Sequence, residues 1–442
     1  MKSEKNIPSI DTLSTDPYIE LKEQRPDLFE PIPLRIGVTL EHPEGFPNGV
    51  VDGWRNIDSP DFHELVENGE PLINIANLAP PIFTTGDYSA KLTQSGYEQP
   101  LDGSTIAQYV RTDVADKLIA AQKLLPRNYR LVMFDAWRSL DTQYATYEMC
   151  YQSLIDKLID EGVLVADEAL TDKAAAIISK ETQKFISLPS PLPDHLGQSN
   201  KDRARARQIP SPHNTGGSVD LGIAKIDDTW LERLEELETI AAAEESPFSP
   251  HKALANFEIA RLYRDHAEAL DFGTAFDFAG QQSALTFCET NESLGPVAQD
   301  SRRMLYNIMT RAGFEPYTEE WWHFNSGNQM AAMTRYRRTG IKQPATYGNA
   351  LLTPEQNEHK RVHSDLLHLL ATLSHQQVTA NDIPESLCAY GATPEFVQYL
   401  VDIVGNPHES QGFLSSWDMK YRGELALDFI DAVRQAQSHA IA

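Results

Sequence analysis

The chain has 442 residues, 64 acidic against 38 basic, giving a formal charge of −26. That length can bury a full core and accommodates one elaborated domain or two. The charge argues against nucleic acid or an anionic membrane surface as the main partner, because phosphate binding needs clustered Lys and Arg. The run Arg203-Ala-Arg205-Ala-Arg207 is short and local, and Cys150, Cys288 and Cys388 have no C-x-x-C spacing. Three such cysteines fit a reducing compartment and give neither a disulfide framework nor a cysteine metal site. The chain starts on polar sequence without an apolar leader, and no stretch is long enough to span a bilayer. The expectation is a cytoplasmic protein with no membrane partner; nothing in the sequence assigns an oligomeric state.

Residues 1–70, rich in Pro, Asp and Glu, read as an irregular extension. Apolar residues at helical spacing predict a helix over 114–125, stopped by Pro126. Residues 129–134 read as a buried strand that runs into Asp135-Ala-Trp-Arg138. Two helices are expected over 140–185, then a Pro-punctuated loop, then a second strand over 219–223. Residues 229–270 have a helical pattern, 301–310 form an amphipathic helix ended by Gly313, and the aromatic-rich 319–324 reads as a strand. Beyond Pro344 the chain turns helical, most clearly over 355–375 and 425–437. The plan is α+β, a small sheet with helices around it. The chain divides into an N-terminal extension (1–70), a central domain (71–345) with helical insertions near 140–205 and 225–270, and a helical C-terminal region (346–442).

Two segments carry the chemistry: Ser211-Pro-His213-Asn-Thr-Gly216-Gly-Ser-Val-Asp220 and Glu320-Trp-Trp-His323. Together they offer two imidazoles, one carboxylate to complete a metal site and one carboxylate left over. A hydrolytic zinc ion needs three such ligands, an open position and a nearby base. Seven residues of extended strand would hold His213 and Asp220 roughly 23 Å apart, so the chain must fold back between them, and Gly216-Gly217 permits that turn. Glu320 is the natural base, but i and i+3 face opposite sides of an ideal strand, so the strand must bulge or end there. Taken singly, each residue also reads as a loop cap, a turn residue or a packed histidine. A di-iron bundle would require a second Glu-x-x-His, which the chain lacks. Glu355, His359 and His363 read as a solvated helix face, and His368 and His375 carry no role.

At these residues the chain resembles the zinc D-alanyl-D-alanine dipeptidases of the vancomycin-resistance type. The likeness extends to Phe134-Asp135-Ala-Trp-Arg138, Phe272-Gly273-Thr274-Ala-Phe-Asp277 and residues 301–309 with Gly313-Phe314, covering roughly residues 70 to 335. The resemblance implies a small antiparallel sheet carrying one zinc ion. It implies His213, Asp220 and His323 as ligands, Glu320 as catalytic base and Arg138 as stabiliser of the tetrahedral intermediate. Ser211 and Asp277 would hold the substrate's ammonium group, making the enzyme a dipeptidase. Related scaffolds imply two alternatives, a D,D-carboxypeptidase or peptidoglycan endopeptidase; a third is a catalytically idle zinc-binding protein. Ser218 stands where the family usually has Ala, and the segments between Arg138 and Ser211 and between Asp220 and Asp277 are longer than in compact members.

Overall fold

The computed structural model describes residues 16–36, 62–85, 101–104, 107–166, 168–183, 186–187, 209–243, 265–278 and 280–358, with scattered single positions elsewhere. Its centre is a mixed sheet. Strand β4 follows three short strands: β1 (Leu72–Asn74), β2 (Phe83–Thr84) and β3 (Tyr109–Arg111). β4 itself (Tyr129–Asp135) is buried along all seven residues: 131–134 form its apolar run, and Arg130 is buried by pairing with Glu238 (2.8 and 3.1 Å). After it come β5 (Ser218–Ile226), β6 (Ala267–Ala269), β7 (Glu315–Pro316) and β8 (His323–Asn325). The order is β2-β4-β5-β8-β7, with β6 also on β5, while β1 and β3 form a separate pair. Antiparallel pairing dominates, but β2 runs parallel to β4, so the expectation of a purely antiparallel sheet is corrected at that edge.

Register is what matters for chemistry. Asp135 stands opposite Asp220, and Asp220 opposite His323, so three neighbouring strands carry a row of polar residues across the sheet. A bulge between Met133 and Asp135 brings Asp135 into that row, the kind of irregularity that re-aims a side chain beside a site.

Helix α1 (Ile19–Gln24) is followed by α2 (Thr112–Leu124), close to its predicted span. α2 buries Val114, Ala115, Leu118, Ala121 and Gln122 on one face. It packs against a later helix, Gly295–Arg311, which begins with a Pro in its first turn. Between them come α3 (Leu140–Asp160), α4 (Asp172–Thr182) and α5 (Asp228–Ala243), so the later helix is α6; α7 is Gln329–Thr339. Ser139 and Thr171 cap α3 and α4 by accepting from Thr142 N–H and Ala174 N–H. The α3–α4 hairpin has its own apolar cluster around Leu154, Leu158, Leu164, Ala174 and Ile178, apart from the main core. The Tyr147 hydroxyl lies 2.7 Å from Ser179 Oγ and ties the two helices.

Two expectations change, and the N-terminal extension is seen in part. Residues 229–270 are not helical to their end: 267–269 form β6, because pairing with Ala224–Ile226 overrides local propensity. The predicted strand over 319–324 begins only at His323, since Trp321 N–H bonds the Ser283 carbonyl rather than a ladder partner. The N-terminal segment 16–36 packs on the core: Leu28 is fully buried, and the Tyr18 hydroxyl lies 2.7 Å from Ser301 Oγ. Of the predicted C-terminal helices, 359–375 lies outside the described residues, as does 425–437 apart from Ile430 and Val433. No helix among the described residues is long and apolar enough to cross a membrane.

Candidate active site

His213 sits in a 3-10 turn, His213–Thr215, just before β5. Gly216 closes the turn in the left-handed region (φ 70°), where a Cβ would also press to 2.5 Å from Leu72 Cδ2. At Gly217 a Cβ would collide with the Ser326 carbonyl oxygen. Both glycines of the predicted fold-back are therefore required, for different reasons. The turn is pinned by Arg138 N–H donating to the His213 carbonyl (3.2 Å). The result brings His213, Asp220 and His323, all buried, to one point.

His213 Nε2 lies 3.2 Å from Asp220 Oδ2, His323 Nδ1 lies 2.9 Å from Asp220 Oδ1, and the two ring nitrogens are 3.3 Å apart. Ligands at about 2.0–2.2 Å around a tetrahedral zinc stand roughly 3.3 Å from one another, so the spacing fits. The tautomers sharpen the test. His213 Nδ1 is 2.7 Å from the Ala136 carbonyl, which can only accept, so Nδ1 carries the proton and Nε2 presents a lone pair inward. His323 Nε2 donates to Asn325 Oδ1 (3.0 Å), leaving Nδ1 bare. Asp220 Oδ1 has no hydrogen bond of good geometry among the described residues despite its short distance to His323 Nδ1. Three acceptors aimed at one another call for a cation, and two imidazoles with one carboxylate suit zinc.

Behind His323 the orientation of Asn325 is fixed by a chain of donors. Ala331 N–H binds Asn328 Oδ1 (2.9 Å), so Asn328 Nδ2 donates to Asn325 Oδ1 (3.0 Å) and to Ser218 Oγ (2.8 Å). Ser218 Oγ in turn donates to Asn325 Oδ1 (2.7 Å). Such outer partners hold a ligating ring in place. Asn325→Leu is expected to weaken zinc binding about 10–100-fold, measured by competition with a chelator. An unchanged affinity would remove Asn325 from this role.

Charges shift accordingly. Burial alone would raise the Asp220 carboxyl, but the two imidazoles outweigh it and hold it far below the usual range. For His213, burial opposes protonation, yet Asp220 and Asp135 overcome it and its pKa is raised. Glu320 lies in the bend before β8, so the i, i+3 conflict with His323 disappears; its Oε2 is 3.7 Å from His323 Nδ1. Burial, helped by Asp220 and Asp277 against His323 and Arg138, pushes its carboxyl up to about 8.

Arg138 lies three residues beyond the end of β4. Its Nε and Nη2 donate to Asp135 Oδ2 (3.0 and 2.7 Å), Nη1 to Gln143 Oε1 (3.1 Å) and Nη2 to the Tyr88 hydroxyl (3.3 Å). Among these bonds one Nη1 hydrogen is left over. Arg138 thus makes an ion pair with Asp135 at the strand end, and its guanidinium still lines the cleft. Ser211 Oγ donates to the same Gln143 Oε1 (3.1 Å). Asp277 has a left-handed backbone (φ 59°), strain of the sort that collects at functional sites. Its Oδ2 accepts from Tyr88 OH (2.7 Å). Tyr88 and Gln143, which the sequence reading missed, thus join the three residues that it proposed. Gln143 could have been sought one turn into the helix after Arg138, whereas nothing in its local sequence marks Tyr88.

All seven proposed residues line one cleft of about 540 Å³, its open mouth included, together with Gln183, Ile186, Ser187, Tyr317 and Met330.

Comparison with known proteins agrees with this geometry in part of the chain. Residues 227–342 match the Peptidase_M15 family model, described as D-ala-D-ala dipeptidase. The matched stretch includes Asp277, Glu320 and His323; Arg138, Ser211, His213 and Asp220 lie before it. The D-alanyl-D-alanine dipeptidase of Enterococcus faecalis (strain ATCC 700802 / V583) is 27% identical over 97 residues, 22% of this chain and 46% of the relative. Its counterpart in Enterococcus faecium is 27% identical over 99 residues, with the same two shares of 22% and 46%. That of Escherichia coli (strain K12) is 38% identical over 63 residues, 14% of this chain and 31% of the relative. The chain thus spans less than half the length of the relatives that it matches. The resemblance to D-alanyl-D-alanine dipeptidases stands on these findings.

Proposed function

We propose that this chain is a zinc metallopeptidase that hydrolyses the single peptide bond of D-Ala-D-Ala or a closely related dipeptide. The observation that carries the reading is the convergence of three buried acceptors, His213 Nε2, Asp220 and His323 Nδ1, beside a carboxylate and a buried guanidinium in one cleft. These three residues would hold the metal. When bound, zinc provides Lewis acidity that polarises a carbonyl and acidifies water.

The chain's own groups account for the rest. Glu320 takes the proton of the attacking water and passes it to the leaving amine. The free N–H of Arg138 Nη1 meets the developing oxyanion, and Asp135 fixes the guanidinium so that little reorganisation is needed. Asp277 and Ser211 accept the substrate's ammonium, with Tyr88 and Gln143 holding them in place. An anchor for a free amino terminus close to the scissile bond places the cut after the first residue.

Arg138→Lys is expected to lower kcat about 10²–10³-fold with a smaller change in KM, because a point charge cannot hold Asp135 and the oxyanion together. Steady-state kinetics checks this. The function as a whole is tested with a library of D and L dipeptides, with and without chelator. Chelator-sensitive cleavage of short dipeptides is expected. Cleavage confined to longer muropeptides would overturn the reading in favour of a wall carboxypeptidase or endopeptidase.

A further inference from the structure

We infer that the α3–α4 hairpin is the specificity wall of this cleft, and that Ile186 sets the size of the side chain accepted on the substrate's N-terminal residue. The inference rests on the dipeptidase reading above.

The hairpin occupies part of the long segment between Arg138 and Ser211. Its return leg reaches back to the site: Gln183, Ile186 and Ser187 line the same cleft as His213 and Glu320. The attachment is specific. Gln143, in the first turn of α3 and fully buried, donates from Nε2 to the Ser187 carbonyl (2.6 Å). Its other side-chain atom, Oε1, accepts from Ser211 Oγ and Arg138 Nη1, each at 3.1 Å. One side chain therefore fixes the wall relative to the groups assigned to the ammonium and the oxyanion. Ile186 N–H also continues the helical bonding to the Thr182 carbonyl (3.0 Å), so the wall is built onto the end of α4. The two helices of the hairpin pack on each other through Leu154, Leu158, Ala174 and Ile178, with Val433 in the same cluster.

Position defines which part of the substrate meets the wall. Through Gln143 it flanks Ser211, the ammonium end, so it faces the side chain of the first residue. Its described side chains are one branched aliphatic group, Ile186, between the amide of Gln183 and the hydroxyl of Ser187. A long first side chain would run into Ile186. Short first residues are the class admitted.

The test is kcat/KM for a series of dipeptides with C-terminal Ala and first residue Ala, Val, Leu or Phe. Zinc content is measured in parallel. Ile186→Ala is expected to raise the ratio of Leu-Ala to Ala-Ala hydrolysis about tenfold or more, the scale of a methylene-sized change in an apolar pocket. Ile186→Phe should lower the same ratio, so the pair moves in opposite directions and does not depend on one variant folding well. Wild-type cleavage with an unaltered ratio in both zinc-loaded variants would overturn the wall and leave the dipeptidase reading intact. A wild-type protein inert to the whole series would overturn that reading and this inference with it.

Discussion

Glu320→Gln is expected to lower kcat about 10²–10⁴-fold, the usual contribution of a positioned base, while leaving zinc stoichiometry unchanged. The separation of these two effects follows from geometry. Glu320 lies in the bend before β8, with a quarter of its side chain open to the cleft, and is not among the three converging acceptors. Gln keeps its shape and removes only its basicity. The pH profile adds a second check. A base works when ionised, and burial with neighbouring carboxylates pushes this carboxyl up to about 8, a position that a bound dication then lowers. The acid limb of kcat/KM is therefore expected above the ordinary Glu value of about 4.3 and below about 8. A variant that retained wild-type kcat, or a profile flat down to the ordinary value, would remove Glu320 from the mechanism.

Much of the site was legible because it is encoded locally. The apolar run 131–134 within β4 announced a buried strand, and the paired glycines announced the turn that returns His213 to Asp220. What the sequence could not reveal is register. Nothing local says that Asp135, Asp220 and His323 form one row, because a bulge in β4 decides it. The strand misplaced over 319–324 shows the converse error. Three aromatics read as strand, yet Trp321 and Trp322 are buried in a bend, with Trp321 Nε1 bonded to Thr274 Oγ1 (2.9 Å). Tyr88 is a lone aromatic in an undistinguished stretch, and only tertiary packing brings it to Arg138 and Asp277. Ser218, where the family usually has Ala, adds a hydroxyl that donates to the amide oxygen of Asn325 behind His323.

Asp220→Asn should weaken zinc binding by more than the roughly 10–100-fold that loss of an outer partner causes, because it removes a direct ligand and its negative charge. The substitution also weakens a pH dependence. In protein stripped with chelator, Glu320 and His213 both bind protons more tightly folded than unfolded, since their folded pKa values are raised. Stability from such groups is complete below their unfolded values and is lost as pH rises through the folded ones. The stripped wild-type protein is therefore expected to lose melting temperature between about pH 5 and pH 8, from just above the ordinary Glu value to the raised one of Glu320. Zinc should flatten that slope by replacing the missing positive charge and stabilising the folded state by mass action. In Asp220→Asn the main carboxylate that raises His213 is gone, so its part of the slope shrinks, and added zinc should restore little. Melting curves from pH 5 to 8.5, with chelator or with zinc, read both effects. Wild-type zinc affinity and an unchanged slope in the variant would show that Asp220 is not what binds these two histidines into one site.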